Sequence, residues 1–468
     1  MTETRKRKIA IIIDRWSTYR DIVRGRLLPR LKAEENAEFL LLTNDRCAFA
    51  EDEIEGLKPL RTRVVDFNLS GPYAKLHYSW DKACHKLSRD LLVAERPDIT
   101  LAQTRRHRLK VRGKTEWAHM GYAKFLKRLG LRWHHIVGFA QRWGHYQPFA
   151  DVLDEEKPDA IVYSNMMIGQ SDCLREAKRR GIPIILDIPS WDQITAKGPM
   201  TVRPDFLLAW GDEMKNDAAS IHSIDPQHIV TTGPLYFDTY FDRPPTWDRQ
   251  TFCAKYGIDP TKKILLYTLS RIREDKCTLI FIDKILDIMR SGRLGHDCHL
   301  VVRTSPLEPL KDIKGLSGSD DVTIQTPSGH FDASGHNWLP NDDELEQRMS
   351  TILNADVMLM IQSTMVLDAT FLDRPILNLA YDAGLELPWH QSVRHRFEFT
   401  HAHTYQEVGA TWMVRSDAEL EEALKGYLDH PGLKAENRSA LIDRTTPYRD
   451  GRSYERWVQA VMDLARRG

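Results

Sequence analysis

Six residues in the second half of the sequence carry hydroxyl, guanidinium or carboxylate groups and are candidates for binding a phosphorylated ligand. They stand at the ends of apolar runs that are typical of buried strands. Hydroxyls and the first N–H groups of a helix bind phosphate oxygens without a lysine, and a guanidinium suits a diphosphate better than an ammonium does. A carboxylate one turn into the helix could accept both hydroxyls of a ribose. The six residues are Ser270, Arg271, Arg303, Ser363, Thr364 and Asp368.

Several of these residues also have a purely structural interpretation. Ser363 and Thr364 are ordinary N-cap residues for a helix that begins after them. Arg303 could pair with a surface acid, and Asp368 could be a solvated helix residue. Because all of them follow strands of one domain, we favour the binding interpretation.

Two carboxylates in the first half are candidates for a general base, which must take the proton of an attacking hydroxyl. Asp14 ends the first predicted strand, and Asp192 follows the strand Ile184–Leu186 in a loop that contains Trp191. Either residue could instead belong to a turn or a helix cap. The sequence does not separate the two, so both remain candidates.

These side chains need a scaffold whose strands end at a common edge, and the sequence predicts one. Short apolar runs alternate with amphipathic helices, which is typical of parallel sheets covered on both faces. The pattern stops at Phe241–Trp247, a stretch with two prolines, and then restarts. We therefore predict an α/β protein with two Rossmann-like, doubly wound domains facing each other across a cleft. Since open parallel sheets bind ligands at the carboxyl ends of their strands, the site would lie in that cleft.

The predicted boundaries divide the 468 residues into three parts. Residues 1–240 form the first domain, with a helical insertion at about 73–146, and residues 247–445 form the second. Residues 446–468 are expected to form a helix that packs back on the first domain. We also predict one continuous helix over Tyr19–Ala33 and assign His401 and His403 to a strand or loop.

Several segments resemble GT-B glycosyltransferases. The strand end at Ser363-Thr364, the helix with Asp368 and the Arg374-Pro375 turn resemble the donor-binding segment of that superfamily. The chain is most similar to its CDP-glycerol glycerophosphotransferase-like and capsule or surface-polysaccharide groups. Further matching segments are Arg303–Pro306, with Ser305 where those groups carry histidine, then Asp450–Arg456 and Ser190–Gly198.

The resemblance implies an inverting glycosyltransferase that needs no metal. It would move a sugar or sugar-like group from a nucleotide-sugar donor to a surface polysaccharide or lipid-linked glycan acceptor. Alternatives are a polyol-phosphate transferase of the CDP-glycerol type, a nucleotide-sugar 2-epimerase and a catalytically dead GT-B scaffold. The sequence lacks the Gly-Thr-Arg-Pro-Glu motif near the start of the chain that is typical of such epimerases.

Composition excludes other classes of function. Lys plus Arg and Asp plus Glu both number 66, so no net charge favours nucleic acid as a partner. The six cysteines form no CxxC pair, which favours a reducing cytoplasm over a disulfide or zinc framework. No apolar run reaches the length of a membrane span. His401 and His403 have no carboxylate or cysteine to complete a metal site, so no metal cofactor is expected.

The basic run Arg105–Lys114 precedes a segment rich in aromatic residues, among them Trp133 and Trp143. One interpretation is an interfacial helix that holds the enzyme on the inner, anionic face of a membrane, with both tryptophans at headgroup depth. The other is a core helix with a solvated basic face. The sequence leaves both open.

Overall fold

The computed structural model describes most of the chain as two compact units. The units are Met1–Phe241 with Thr445–Gly468, called unit 1, and Asp242–Arg444, called unit 2. The residues described are 5–44, 51–67, 71–99, 114–142, 145–164, 166, 171–241, 246–270, 276–306, 308, 313, 315–316, 319–331, 338–389 and 391–467.

Unit 1 is built on a seven-stranded parallel sheet of order β3-β2-β1-β4-β5-β6-β7. The apolar run Ile9–Ile13 forms most of an inner strand, β1, and is at most 1% exposed, as expected for a strand covered on both faces. The strands are β1 (Arg7–Ile13), β2 (Ala37–Thr43), β3 (Arg61–Val64), β4 (Ala160–Tyr163), β5 (Ile184–Asp187), β6 (Phe206–Ala209) and β7 (Ile229–Thr231).

Twelve described helices belong to unit 1. They are α1 (Trp16–Ile22), α2 (Leu27–Lys32), α3 (Glu51–Leu57), α4 (Gly71–Glu95), α5 (Lys114–Arg128), α6 (Trp133–Ala140), α7 (Gln147–Glu156), α8 (Ser171–Arg179), α9 (Gln193–Ala196), α10 (Asp212–His222), α11 (Leu235–Phe241) and α19 (Ser453–Leu464). The prediction of one helix over Tyr19–Ala33 is wrong, because the chain leaves the helix at Val23 and re-enters it only at Leu27. A Cβ at Gly25 would lie 2.4 Å from the Asp21 carbonyl oxygen, so the backbone of this break leaves room only for glycine at position 25.

The insertion of unit 1 consists of α4, α5 and α6, which share a small core of their own. Trp133 and Val137 are each 3% exposed and pack there with Leu91 and Ala123. The expectation that Trp133 sits at headgroup depth is therefore wrong, because its ring fills this core. The run Arg105–Gly113 and Trp143 lie outside the described residues. Within the described chain, no helix is both long and apolar enough to cross a bilayer.

Helix α19 completes the core of unit 1. Trp457, Val458 and Val461 are fully buried against the sheet face that also carries Ile11 and Val162. The start of α19 is held by the carboxylate of Asp238, which accepts hydrogen bonds from the backbone N–H groups of Ser453 (3.0 Å) and Tyr454 (2.8 Å).

The segment Asp450–Arg456, one of those that resemble GT-B enzymes, forms this junction. Gly451 has φ +64° and a Cβ there would lie 2.7 Å from the Cβ of Phe241, so glycine is required. Arg456 pairs with Asp450 at 2.8 Å and donates to the Thr232 carbonyl. In this chain the segment therefore docks a helix.

Unit 2 is built on a six-stranded parallel sheet of order β10-β9-β8-β13-β14-β15, with a separate antiparallel pair β11-β12. In chain order this sheet reads 3-2-1-4-5-6, the Rossmann order that unit 1 also follows and extends by one strand. The strands are β8 (Lys263–Thr268), β9 (Cys298–Arg303), β10 (Val322–Gln325), β11 (Gly329–Phe331), β12 (Trp338–Pro340), β13 (Val357–Met360), β14 (Ile376–Leu379) and β15 (Trp412–Val414).

The helices of unit 2 lie before the first of these strands, between them and after the last one. They are α12 (Arg249–Tyr256), α13 (Thr278–Arg290), α14 (Glu344–Asn354), α15 (Met365–Phe371), α16 (Thr400–Glu407), α17 (Asp417–Asp429) and α18 (Ala435–Thr445). His401 and His403 lie in α16, so their assignment to a strand or loop is wrong. The alternation that suggested a strand is two residues long, too short to distinguish the two structures.

Candidate functional site

The Rossmann order reverses between β8 and β13, and such switch points open a crevice at the carboxyl ends of the strands. Thr268 and Met360 pair in register at the ends of these strands. Two residues further along, Ser270 and Gln362 therefore reach the same level of the edge. The structure thus brings the predicted residue Ser270 beside the segment that carries Ser363 and Thr364.

The three hydroxyls at this edge differ in their surroundings. Ser270 Oγ lies 2.9 Å from the Thr278 hydroxyl at the start of α13. Ser363 Oγ accepts a hydrogen bond from the N–H of Met365, the first residue of α15, at 3.3 Å, whereas the N-cap residue Thr364 makes no side-chain cap hydrogen bond. Thr364 is exposed. The Ser363 oxygen accepts this bond, so its O–H, like the hydroxyls of Ser270 and Thr364, can still be donated to a ligand.

Arg303 lies at the end of β9, but its guanidinium faces protein groups. It pairs with Glu344 at 3.2 Å and donates to the side-chain oxygens of Gln347, at 2.9 Å, and Gln325. Arg303 is 4% exposed and its acid partner Glu344 is 7% exposed, so the alternative of a pair with a surface acid is wrong. Burial is tolerated because Glu344 compensates its charge.

Two buried polar side chains near the same edge were missed by the sequence analysis. Thr304, directly after Arg303, is 3% exposed, and Asn378 in β14 is fully buried. Neither the Thr304 hydroxyl nor the Asn378 amide has a hydrogen-bond partner in the described part of the chain. Most buried polar groups are satisfied, so unsatisfied ones mark a place for water or a ligand. No sequence signal separates Thr304 from any other threonine after a strand.

Asp368 and Arg271 are the remaining residues of unit 2 that the sequence analysis predicted for the site. Asp368 lies in the first turn of α15 and is 5% exposed, so the alternative of a solvated helix residue is wrong. Arg271 lies outside the described residues.

His401 joins this edge from α16. The Gln362 side-chain amide donates to His401 Nε2 at 3.1 Å, and His401 is 6% exposed. The sequence analysis considered this histidine only as a metal ligand and did not connect it to Gln362, which is 39 residues away.

A cavity of about 420 Å³ lies at the opposite, amino edge of the unit 2 sheet. Its lining includes Lys262, Arg290, His296 and Asp321, and Arg290 and Asp321 pair with each other at 2.7 Å. Ligands of open parallel sheets bind at the carboxyl edge, so we do not place the candidate site in this cavity.

Unit 1 has its own switch point, between β1 and β4. Asp14 follows β1, its side chain is 1% exposed, and it lies 3.6 Å from Arg15 Nε. Asp192 lies beyond β5 at the start of α9 and accepts a hydrogen bond from the Ser190 hydroxyl at 2.5 Å. It is partly exposed. Both predicted base candidates therefore follow strands of one sheet edge, and Asp192 is the more accessible.

A third carboxyl at this edge, that of Asp187, was missed by the sequence analysis. It ends β5, level with Ser164 after β4, and accepts a hydrogen bond from the Ser164 hydroxyl at 3.3 Å. Burial, with a smaller contribution from the negative charge of Asp21, raises the pKa of Asp187 to about 7. A carboxyl with a pKa near neutrality can both accept and release a proton at physiological pH.

One buried cluster in unit 1 has the composition of a metal site. Ligand atoms of His77, Asp81 and Asp172 lie within 4.8 Å of one another. The guanidinium of Arg175 lies in the same place, because it donates to both oxygens of Asp81, at 2.7 and 2.9 Å, and to Asp172 at 2.7 Å. Arg175 already supplies the positive charge, so the cluster is an ion network that fastens α4 to α8.

Two Rossmann-like α/β domains in one chain define the GT-B fold, and solved structures of that fold match the chain over nearly its whole length. A UDP-GlcNAc 2-epimerase from Neisseria meningitidis, bound to UDP-GlcNAc, matches with a TM-score of 0.53 and 13% identity, over 97% of this chain and 100% of that one. MnaA of S. aureus, solved with UDP, matches with a TM-score of 0.54 and 13% identity, over 98% and 97% of the two chains. A glycosyltransferase from Rickettsia africae matches with a TM-score of 0.51 and 10% identity, over 98% of both.

At these identities the likeness establishes the fold. No protein-family model and no curated relative matches the chain.

Proposed function

We propose that this protein is an inverting, metal-independent glycosyltransferase that uses a nucleotide-sugar donor. The acceptor would be a surface polysaccharide or a lipid-linked glycan. The observation that carries the proposal is the switch-point edge of unit 2, where Ser270 and Thr364 offer hydroxyls and Thr304 offers a buried hydroxyl without a partner among the described residues. A fold shared with proteins solved with UDP and UDP-GlcNAc supports it.

In this proposal the donor binds at the unit 2 edge. Hydroxyls of Ser270, Ser363 and Thr364, with Arg271, would hold the diphosphate, whose developing charge they would stabilise as it leaves. Asp368 would accept the ribose hydroxyls. Arg303 would hold the end of β9 in place through Glu344 and would act as a positioning residue.

The acceptor hydroxyl would be deprotonated by a carboxylate at the edge of unit 1. Asp192 is the first candidate because it is partly exposed, and Asp14 is the second. Asp187 joins them because its raised pKa suits proton exchange near neutrality.

A nucleotide-sugar 2-epimerase is the second candidate function, favoured by the two neighbours that match with UDP or UDP-GlcNAc bound. The two functions differ in their need for an acceptor. An epimerase converts its nucleotide sugar alone, whereas a transferase releases nucleoside diphosphate in proportion to glycosylated acceptor. A polyol-phosphate transferase of the CDP-glycerol type would instead release CMP.

The test begins with nucleotide binding, measured as thermal stabilisation by UDP, CDP, GDP, TDP and CMP, since a ligand of the native state raises the melting temperature. Thr304→Val, close in shape and without the hydroxyl, should weaken the best nucleotide by roughly 0.5–1.5 kcal/mol, the range for one hydrogen bond. Lys262→Ala, at the opposite edge, is the matched control and should bind as the wild type does. Loss of binding in Lys262→Ala with none in Thr304→Val would move the site to the cavity. No binding of any nucleotide would favour the dead scaffold.

A further inference from the structure

Exposed large apolar side chains are concentrated on the insertion of unit 1. Of the fourteen such side chains in the described residues, six lie on α4, α5 and α6 and a seventh, Leu129, directly follows α5, although these helices make up a small part of the chain. Large contiguous patches of exposed apolar side chains are rare on monomeric soluble proteins, and where they occur they commonly mark an interaction site. The seven are Leu76, Tyr78, Trp80, Tyr122, Phe125, Leu129 and Phe139, and we call them the insertion face.

Helix α5 shows that this exposure is not simply the outer side of an ordinary amphipathic helix. Its inner side packs Ala123 and Leu126 into the insertion core. Its outer side presents Tyr122, Phe125 and Leu129 at i, i+3 and i+7, with 55%, 55% and 67% of their surface exposed. A helix that is apolar on both sides is normally buried on both. Within the described part of the chain, the outer stripe of α5 is therefore an exposed apolar surface without a packing partner.

The apolar side chains of α4 and α6 extend this surface. Trp80 on α4 and Phe139 on α6 are in edge contact, with ring centroids 6.0 Å apart. Leu76, 70% exposed, lies one turn before Trp80 on the same side of α4, whereas Tyr78, 49% exposed, lies on another side of that helix. The insertion face thus spans three helices.

Every exposed charge on the described part of this surface is basic. Lys124 and Arg128 are exposed on α5, and Lys75 and Lys82 are exposed on α4. No acid occurs from residue 117 to residue 142, and the one acid in the first half of α4, Asp81, is buried against Arg175. A second copy of the chain would bring these like charges together across a two-fold axis. An anionic bilayer complements both the charges and the apolar side chains.

We infer that the insertion face docks unit 1 on the surface of an anionic membrane, with Phe125 and Leu129 entering the headgroup boundary and Lys124 and Arg128 contacting lipid phosphates. Tyr122 and Trp80 are the residue types that prefer this depth. This contact places the enzyme where a lipid-linked acceptor would be found, but it does not depend on the donor that unit 2 binds.

The test is flotation of the full-length protein with vesicles of phosphatidylglycerol and phosphatidylcholine, compared with vesicles of phosphatidylcholine alone. The wild type should float with the anionic vesicles at low salt and be released as salt rises, because ions screen the lysine and arginine charges. Phe125→Ser with Leu129→Ser should reduce vesicle binding by at least about tenfold. Lys124→Glu with Arg128→Glu should do the same, since each basic residue near the surface contributes about 1 kcal/mol.

The matched control is Phe331→Ser with Leu433→Ser, which removes two apolar side chains of unit 2 that are 38% and 40% exposed. It should float as the wild type does, and all variants should keep the wild-type melting temperature and its shift with nucleotide. A wild type that stays with the dense fraction, or a Phe125→Ser, Leu129→Ser protein that floats fully, would overturn the inference. So would a dimer in solution that the same pair of substitutions dissociates, which would assign the face to a second copy.

Discussion

At the residue scale, Arg303 illustrates how far a side chain can lie from the role its position suggests. Its type and its place at a strand end predict an anion ligand. Its hydrogen bonds show a buried guanidinium occupied by Glu344, Gln325 and Gln347. The three partners are 22 to 44 residues away in the sequence, so only the folded chain reveals them.

Replacing Arg303 by alanine is expected to destabilise unit 2 by about 2–4 kcal/mol, because buried oxygens lose their donors. The guanidinium of Arg348 lies 3.3 Å from a carboxylate oxygen of Glu344, so in this variant it would still offset part of the negative charge of Glu344. Urea unfolding measures the change. Arg290→Ala is the control, since its ion pair with Asp321 lies at the surface and contributes at most about 1 kcal/mol. If Arg303→Ala keeps full stability and loses nucleotide, then Arg303 contacts the donor directly.

The raised pKa of Asp187 predicts a pH dependence of stability. Between its ordinary value of 3.8 and about 7, the folded protein holds a proton that the unfolded chain releases. The free energy of unfolding therefore falls as pH rises through this window, by up to about 4 kcal/mol from this residue.

Asp187→Asn removes that contribution, so wild type and variant should diverge between pH 4 and 7 in favour of the variant. Burial lowers the pKa of His85 and of His222 to about 4, which makes stability rise with pH from about 4 to 6.5. Both histidines remain in both proteins, so their effect cancels in the difference. Chemical unfolding at several pH values provides the measurement, and a constant difference would show that Asp187 is ionised in the folded state.

The choice among the carboxylates is also a prediction about single residues. Asp192→Asn should keep nucleotide binding and reduce turnover by a factor of about 10² or more, as the loss of a general base does. The measurement is release of nucleoside diphosphate at saturating donor and acceptor. If Asp14→Asn or Asp187→Asn shows this loss and Asp192→Asn does not, the base is that other residue.

At the scale of elements, the sequence predicts what local pattern determines. The strands β1, β8 and β13 follow from uninterrupted apolar runs, and the placement of Ser270, Ser363 and Asp192 beyond strand ends follows with them. The pattern fails where elements are short and polar, as in β3 (Arg61–Val64), which exposes half of its residues. Features that depend on neighbours distant in sequence, such as the unsatisfied hydroxyl of Thr304 and the pKa of Asp187, cannot be predicted in this way.

The junction before α19 gives a prediction for an element. Gly451→Ala should destabilise unit 1 by at least about 2 kcal/mol, because a left-handed φ costs 1–2 kcal/mol and the new methyl meets Phe241. Thermal unfolding should show the loss. Gly432→Ala is the matched control: a Cβ there meets nothing within 4 Å, and its effect should stay within about 0.5 kcal/mol. Equal melting temperatures for the two variants would show that the junction is not needed for stability.

At the scale of the whole molecule, unit 2 is one continuous segment, whereas unit 1 is made of two segments of the chain. A fragment of residues 242–444 should therefore fold by itself and unfold cooperatively in urea. A fragment of residues 1–241 should not, because it lacks Trp457, Val458 and Val461 of the core. Circular dichroism and urea titration of both fragments provide the test. A 1–241 fragment as stable as unit 1 in the full chain would contradict it.

The position of α19 in the chain also sets an order of events during synthesis. A ribosome makes the sheet of unit 1 first, then the roughly two hundred residues of unit 2, and only afterwards the helix that covers Ile11 and Val162. At about 5–20 residues per second, the interval lasts roughly 10–40 s. During that time the nascent sheet exposes its apolar face while unit 2 can already fold. The first half of this protein is therefore the part that a ribosome-associated chaperone would have to protect.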